Sequence, residues 1–193
     1  MNFDEYLLKD EKVLWKGQPE TSVIFTRADI FLVPFSLMWG GFAIFWELGV
    51  LGISFMASNS SSNNNPPIFF ALFGIPFVII GLYFIFGRFI YKRKQKEKTW
   101  YLVTNKRVIV INNFWGTKVD SANIDSIPSY NKSTRSDGIG SITFGNSSFL
   151  GGMYANVGMD FFGSFYGPIP PTFFDIKDAE SVFKKVQELR NQS

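Results

Sequence analysis

Two long apolar runs constrain this chain more than any other feature of it. Residues 30–56 contain a single charged side chain, Glu47, and residues 68–91 contain a single one, Arg88. As a helix the first run rises about 40 Å, enough to cross a hydrocarbon core of roughly 30 Å with some tilt. Core helices of soluble proteins are seldom apolar on every face over such a length. The two runs therefore predict a transmembrane helical hairpin with spans at 30–56 and 68–91. Between them Ser58-Asn59-Ser60-Ser61-Ser62-Asn63-Asn64-Asn65-Pro66-Pro67 is uncharged and rich in turn formers, and reads as a connector.

Charge placement orients the hairpin. Charged residues are 18% of the whole chain and almost absent from the runs, so their positions matter more than the net +3. Arg88, Lys92, Arg93, Lys94, Lys96 and Lys98 crowd the end of the second run, and Lys9, Lys12, Lys16 and Arg27 precede the first. Excess Lys and Arg mark the cytoplasmic side, so a multi-pass protein of the cell (inner) membrane with both termini in the cytoplasm is expected. The same cluster would attract anionic headgroups, each charge adding roughly 1 kcal/mol. Arg88, close to the end of its span, would reach the headgroups by snorkelling. The segment from Met1 to Asp29 is polar and predicts no cleavable signal peptide.

Inside the runs, Glu47 is the odd residue. A carboxylate within a span by default indicates a polar pathway or a partner. The alternatives are a protonated acid or one bonded to the neighbouring helix, and no second acid stands in the opposing run. Gly41, Gly49 and Gly52 in the first run and Gly74 and Gly81 in the second would allow close helix approach. Pro76 predicts a kink in the second helix.

After Lys98 the pattern changes to short β-branched and aromatic segments. Residues 99–104 and 107–111 read as strands of a hairpin turned at Asn105-Lys106. Gly116 marks a turn before a segment at 117–127, and Ser136-Asp137-Gly138 turns into another at 139–144. Asp178 reads as the N-cap of a last helix whose apolar face holds Val182, Phe183, Val186 and Leu189, with Glu180 and Lys184 in i,i+4 order. The expected fold class is a membrane α-helical hairpin plus an α+β soluble domain, its antiparallel sheet capped by a C-terminal helix. The expected divisions are 1–29 (N-terminal cytoplasmic segment), 30–91 (hairpin) and 92–193 (soluble domain).

Three motifs carry a resemblance. Glu11-Lys12-Val13-Leu14-Trp15-Lys16-Gly17-Gln18-Pro19 ahead of a two-span hairpin resembles the opening of bacterial pleckstrin-homology-like (PH-like) membrane proteins. Tyr101-Leu102-Val103-Thr104-Asn105-Lys106-Arg107 resembles the first hairpin of their soluble domain, and Phe173-Phe174-Asp175-Ile176-Lys177-Asp178-Ala179 the lead into their last helix. The resemblance implies a bent antiparallel sheet or barrel with a helix plugging one end, and an interaction or assembly role in a membrane complex. Eukaryotic PH domains that bind phosphoinositides resemble one another in a basic loop between their first two strands. Taken as that connection, Asn105-Lys106 is too short for a phosphate cradle.

The chemistry for catalysis is missing. The chain has no cysteine and no histidine, which removes thiol nucleophiles, Ser-His-Asp triads and nearly all zinc sites. It also lacks a G-x-x-x-x-G-K-[ST] loop, a G-x-S-x-G elbow and an H-E-x-x-H motif. No catalytic, metal or cofactor-binding residue is assigned, and no cofactor or nucleic acid is expected. Membrane lipids and a protein partner, or further copies of the chain, are the expected partners. Trp15, Phe161, Phe162, Phe165 and Tyr166 are the candidate interaction residues, weighed against a role in the core. A non-catalytic interaction module is the leading reading. The others are an anionic-lipid sensor and a channel or carrier subunit built on Glu47.

Overall fold

A computed structural model of the protein describes residues 3–58, 68–148, 151–152, 155–159 and 169–192. The chain divides into two compact units, Phe25–Ile90 in one and Met1–Ile24 together with Tyr91–Ser193 in the other. Met1–Ile24 thus groups with the C-terminal part of the chain.

The apolar unit holds α1 (Asp29–Ser58), α2 (Ile68–Leu82), a π-helical turn (Tyr83–Gly87) and the start of α3 (Arg88–Glu97). α2 contains Pro76 in its interior and runs directly into the π turn. The stretches Asp29–Met56 and Leu72–Glu97 are both long and apolar enough to cross a membrane. Only 22% and 17% of their most apolar windows are buried, so their apolar side chains point outward rather than into a protein core.

The glycines that bring α1 and α2 together are not the set expected. A Cβ on Gly81 would stand 2.8 Å from Gly40 Cα, so the two backbones touch there. Seven residues along each helix, in opposite directions, Gly74 makes room for the side chain of Glu47. Gly41, Gly49 and Gly52 instead face open space. Seven residues are two helical turns, which returns a side chain to the same face and accounts for the second notch.

The other unit is built from two antiparallel sheets and a C-terminal helix. The first sheet has the order β1 (Val13–Gly17), β2 (Thr99–Thr104), β3 (Arg107–Asn112), β4 (Lys118–Asn123), and the second β5 (Tyr130–Thr134), β6 (Gly140–Phe144), β7 (Thr172–Ile176). β1 pairs with β2 in the register Trp15 opposite Val103, Lys16 opposite Leu102 and Gly17 opposite Tyr101. This corrects the reading of Asn105-Lys106 as the connection between the first two strands. Those residues join β2 to β3, and the β1–β2 connection is the one that contains both apolar helices.

Both sheets and α4 (Ala179–Gln192) share one core. Tyr101, Val108, Ile142, Phe144, Phe173 and Val182 are at its centre. Phe173 is the hub: its ring stacks on Tyr101 at 4.7 Å and on Trp15 at 5.8 Å, and meets Phe144 edge-on at 4.8 Å. On the outer face of the first sheet, Leu102, Ile109 and Ile111 form a second cluster, covered by Phe3, Tyr6, Leu7 and Val13. The N-terminal residues therefore close the face of the sheet that α4 leaves open.

Candidate functional site

The charged residues that drew attention in the sequence sort by helical phase. Arg88, Lys92 and Lys96 follow one another at four-residue intervals on α3, so they share one face. All three are buried, whereas Arg93, Lys94 and Lys98 are exposed. The cluster expected to meet headgroups as one group is thus two groups, and Arg88 does not snorkel. Its guanidinium is inside the apolar unit, bonded to the Asp29 carboxylate through Nη1 and to Phe84 O through Nε at 2.9 Å. Asp29 also accepts from the N–H and Oγ1 of Thr26, at 2.5 and 2.8 Å, at the start of α1. A buried opposite charge is what keeps the guanidinium inward, because an ion shut away from water needs both a counter-charge and hydrogen bonds.

Lys92 and Lys96 do a different job in the β-rich unit. Lys92 Nζ donates to Ile24 O at 2.8 Å. Lys96 Nζ donates to Glu20 O at 3.0 Å, Val23 O at 2.7 Å and the Asp175 carboxylate at 2.6 Å. Three acceptors use all three of its N–H bonds. The segment between β1 and residue 24 is in this way strapped onto α3 by its own carbonyls. Asp175, held at a positive φ of 50°, also accepts from Asn156 Nδ2 at 2.6 Å and gives its carbonyl to Glu20 N at 2.7 Å.

The three sequence motifs meet in space. Glu11 accepts from Thr104 Oγ1 at 2.7 Å, from Arg107 Nε at 3.0 Å and from Leu8 N at 2.6 Å. Lys12 N donates to Asn105 Oδ1 at 2.8 Å, and Asn105 N returns a bond to Lys12 O at 3.1 Å. Tyr101 Oη accepts from Phe174 N at 3.1 Å. Burial pushes the Glu11 carboxyl up, but the bonds from Arg107, Leu8 and Thr104 together with the Arg107 charge outweigh it and hold the group below its ordinary value. Burial drives the Tyr101 hydroxyl far above its ordinary range. These groups are committed to one another, and their chemistry is that of a brace.

Trp15, weighed above as an interaction residue, packs on the core, and Gly17 two residues on leaves space for its indole. Phe161, Phe162, Phe165 and Tyr166 lie outside the described residues. From the surrounding aromatic segment Val157, Met159 and Phe173 are buried. Glu47 lies against Gly74, its Oε2 buried and without a hydrogen-bond partner among the described residues. The cleft of about 290 Å³ beside Gly74 is lined by Trp39, Phe42, Ala43, Trp46, Phe73 and Phe77, all apolar.

One exposed feature escaped the sequence reading. The loop at 113–117 between β3 and β4 carries Phe114 and Trp115, and Trp115 is 82% exposed. Phe114 meets Tyr91 edge-on at 5.0 Å and Trp115 meets Phe114 at 5.5 Å. A cavity of about 330 Å³ lies among Tyr91, Gln95, Asn112, Phe114 and Trp115. Two neighbouring aromatic residues ahead of a turn glycine were the available signal, and they pass for strand residues because strands favour the same types.

Comparison with known proteins adds no relative: no family model, no curated protein and no solved structure matches the chain.

Proposed function

We propose that this chain is a non-catalytic, membrane-anchored module whose β-rich unit is a PH-like domain at the cytoplasmic face of a bacterial inner membrane, where it docks a protein partner or further copies of itself. The observation that carries the reading is the arrangement of seven strands among the described residues as four plus three, with a C-terminal helix packed on their common core. Two antiparallel sheets with a C-terminal helix lend support to the bent sheet and plugging helix that the three motifs imply.

The topology adds support for the anchoring. β1 precedes the apolar helices, β2 follows them, and the two strands pair in one sheet. A polypeptide that crosses a bilayer between those strands has to return to the side it left, so the crossings are even in number. Lys9, Lys12, Lys16 and Arg27 before the helices, with exposed Arg93, Lys94 and Lys98 after them, favour the cytoplasm as that side. The phosphoinositide reading has less behind it, because the connection that would hold the basic loop holds the apolar helices.

Crosslinking in native membranes followed by purification tests the proposal. A discrete partner or a homo-oligomer of fixed size is expected. Recovery of monomer alone under crosslinkers of several lengths and chemistries would overturn it.

A further inference from the structure

In the first sheet each strand runs antiparallel to its neighbour, so successive connections alternate between its two ends. The Asn105-Lys106 turn occupies one end. The β1–β2 connection, which contains the apolar helices, and the 113–117 loop share the other. Asn113 N donates to Lys98 O at 3.1 Å, fixing the loop beside the strand entrance after α3. Phe114 N donates to Asn112 Oδ1 at 3.0 Å, and Gly116 at φ +110° completes the turn. Phe114 in turn stands on Tyr91, the residue directly after Ile90 and the apolar unit.

Nothing in the turn calls for an indole at position 115. The loop is closed by Asn112 and Gly116, and Trp115 is the most exposed large apolar side chain described in the chain. Tryptophan and tyrosine concentrate where hydrocarbon meets headgroup, because one part of each ring is apolar and the other carries a donor. Exposed lysines flank the loop at Lys98 and Lys118, the latter also paired with Asp120 at 3.0 Å. An aromatic tip with a cationic rim suits an anionic bilayer surface.

We propose that the 113–117 loop is an interfacial anchor, with Trp115 seated among the headgroups of the same bilayer that α1 and α2 cross. The proposal rests on reading those helices as spans. It assigns the lipid surface, not a protein, as the occupant of this end of the sheet.

The absence of cysteine allows a direct test on the full chain, reconstituted into vesicles of phosphatidylcholine and phosphatidylglycerol. Single cysteines at Thr117 in the loop, Ser126 at the far end of the sheet and Phe45 on α1 are each labelled with an environment-sensitive fluorophore. All three positions are exposed. Lipids carrying a nitroxide at the headgroup should remove most of the Thr117 signal and leave the Ser126 signal at full intensity. Lipids with a nitroxide in mid-chain should quench the Phe45 label. Adding Trp115→Ser should restore the Thr117 signal.

A Thr117 label that behaves like the Ser126 label, with Phe45 quenched, overturns the anchor and leaves the spans standing. An unquenched Phe45 label removes the spans and the anchor together. Quenching at Thr117 that persists in Trp115→Ser overturns the role of the indole. Protection from aqueous iodide without nitroxide quenching means that another copy of the chain covers the loop, which also overturns the proposal.

Discussion

Lys96 Nζ lies 2.6 Å from an Asp175 carboxylate oxygen, and this buried pair ties α3 to β7. The same ammonium holds Glu20 O and Val23 O, so three parts of the chain converge on one side chain. Lys96→Ala leaves the buried Asp175 carboxylate without its counter-charge and two carbonyls without their donor, an expected cost of about 3–5 kcal/mol. Lys94→Ala, on the solvent side of the same helix, should stay within about 0.5 kcal/mol. Thermal or urea unfolding in detergent micelles measures both. Equal losses would mean that the inward face of α3 is no brace.

The Glu11 carboxyl gives stability a defined pH dependence. Its value is depressed in the folded state, so the contribution is complete above the unfolded value of about 4.3 and is lost as pH falls through the folded one. Glu11→Gln should therefore be less stable than the parent at neutral pH. The gap should narrow as the pH falls below the unfolded value and close only below the depressed folded one, where the parent carboxyl is protonated as well. Melting curves of the two proteins between pH 3 and 7 report it. A constant gap across that range would rule out the ionised Glu11–Arg107 contact as its source.

How much of this could be read in the sequence depends on how local each signal is. The apolar runs, the Asn105-Lys106 turn and the α4 face of Val182, Phe183, Val186 and Leu189 are short-range patterns, and they are where expected. β1 is five residues long, and its partner strand lies beyond both apolar helices, so nothing near it in the chain marks it as a strand. A soluble fragment begun at Trp100 would lack it. The lysines of α3 show the converse. Their number is plain in the sequence, but the acceptors that turn Lys92 and Lys96 inward are carbonyls of residues 20, 23 and 24, which no residue type announces. Gly40 was hidden by Gly41 beside it, since a composition argument cannot say which of two adjacent glycines faces the neighbouring helix.

That difference in facing is measurable. Gly81→Leu pushes a branched side chain against Gly40, where even a Cβ is at 2.8 Å from Cα, and should cost about 1–3 kcal/mol or separate α1 from α2. Gly52→Leu points into open space and should be close to neutral in lipid. Resistance to unfolding in mixed micelles ranks the two variants. A larger loss from Gly52→Leu would contradict the packing of the apolar unit.

The pairing of β1 with β2 makes the firmest demand on the proposed spans, because it requires both ends of the helix pair on one side of the bilayer they would cross. Lys16 and Leu102 are opposite each other in register, at a spacing of about 4.5–5.5 Å between Cα atoms for directly opposed antiparallel residues. That range falls inside the Cα separations of about 4.4–6.8 Å that a disulfide spans. In a chain with no native cysteine, Lys16→Cys with Leu102→Cys should link on mild oxidation. With a protease site placed in the connector at 59–67, cleavage then yields two fragments that stay together until reduced. Lys16→Cys with Val119→Cys serves as the control, because β4 is two strands away from β2 and three from β1 in the sheet order. If the first pair links no better than the second in membranes, β1 is not in the sheet, and the argument that the crossings are even in number fails with it.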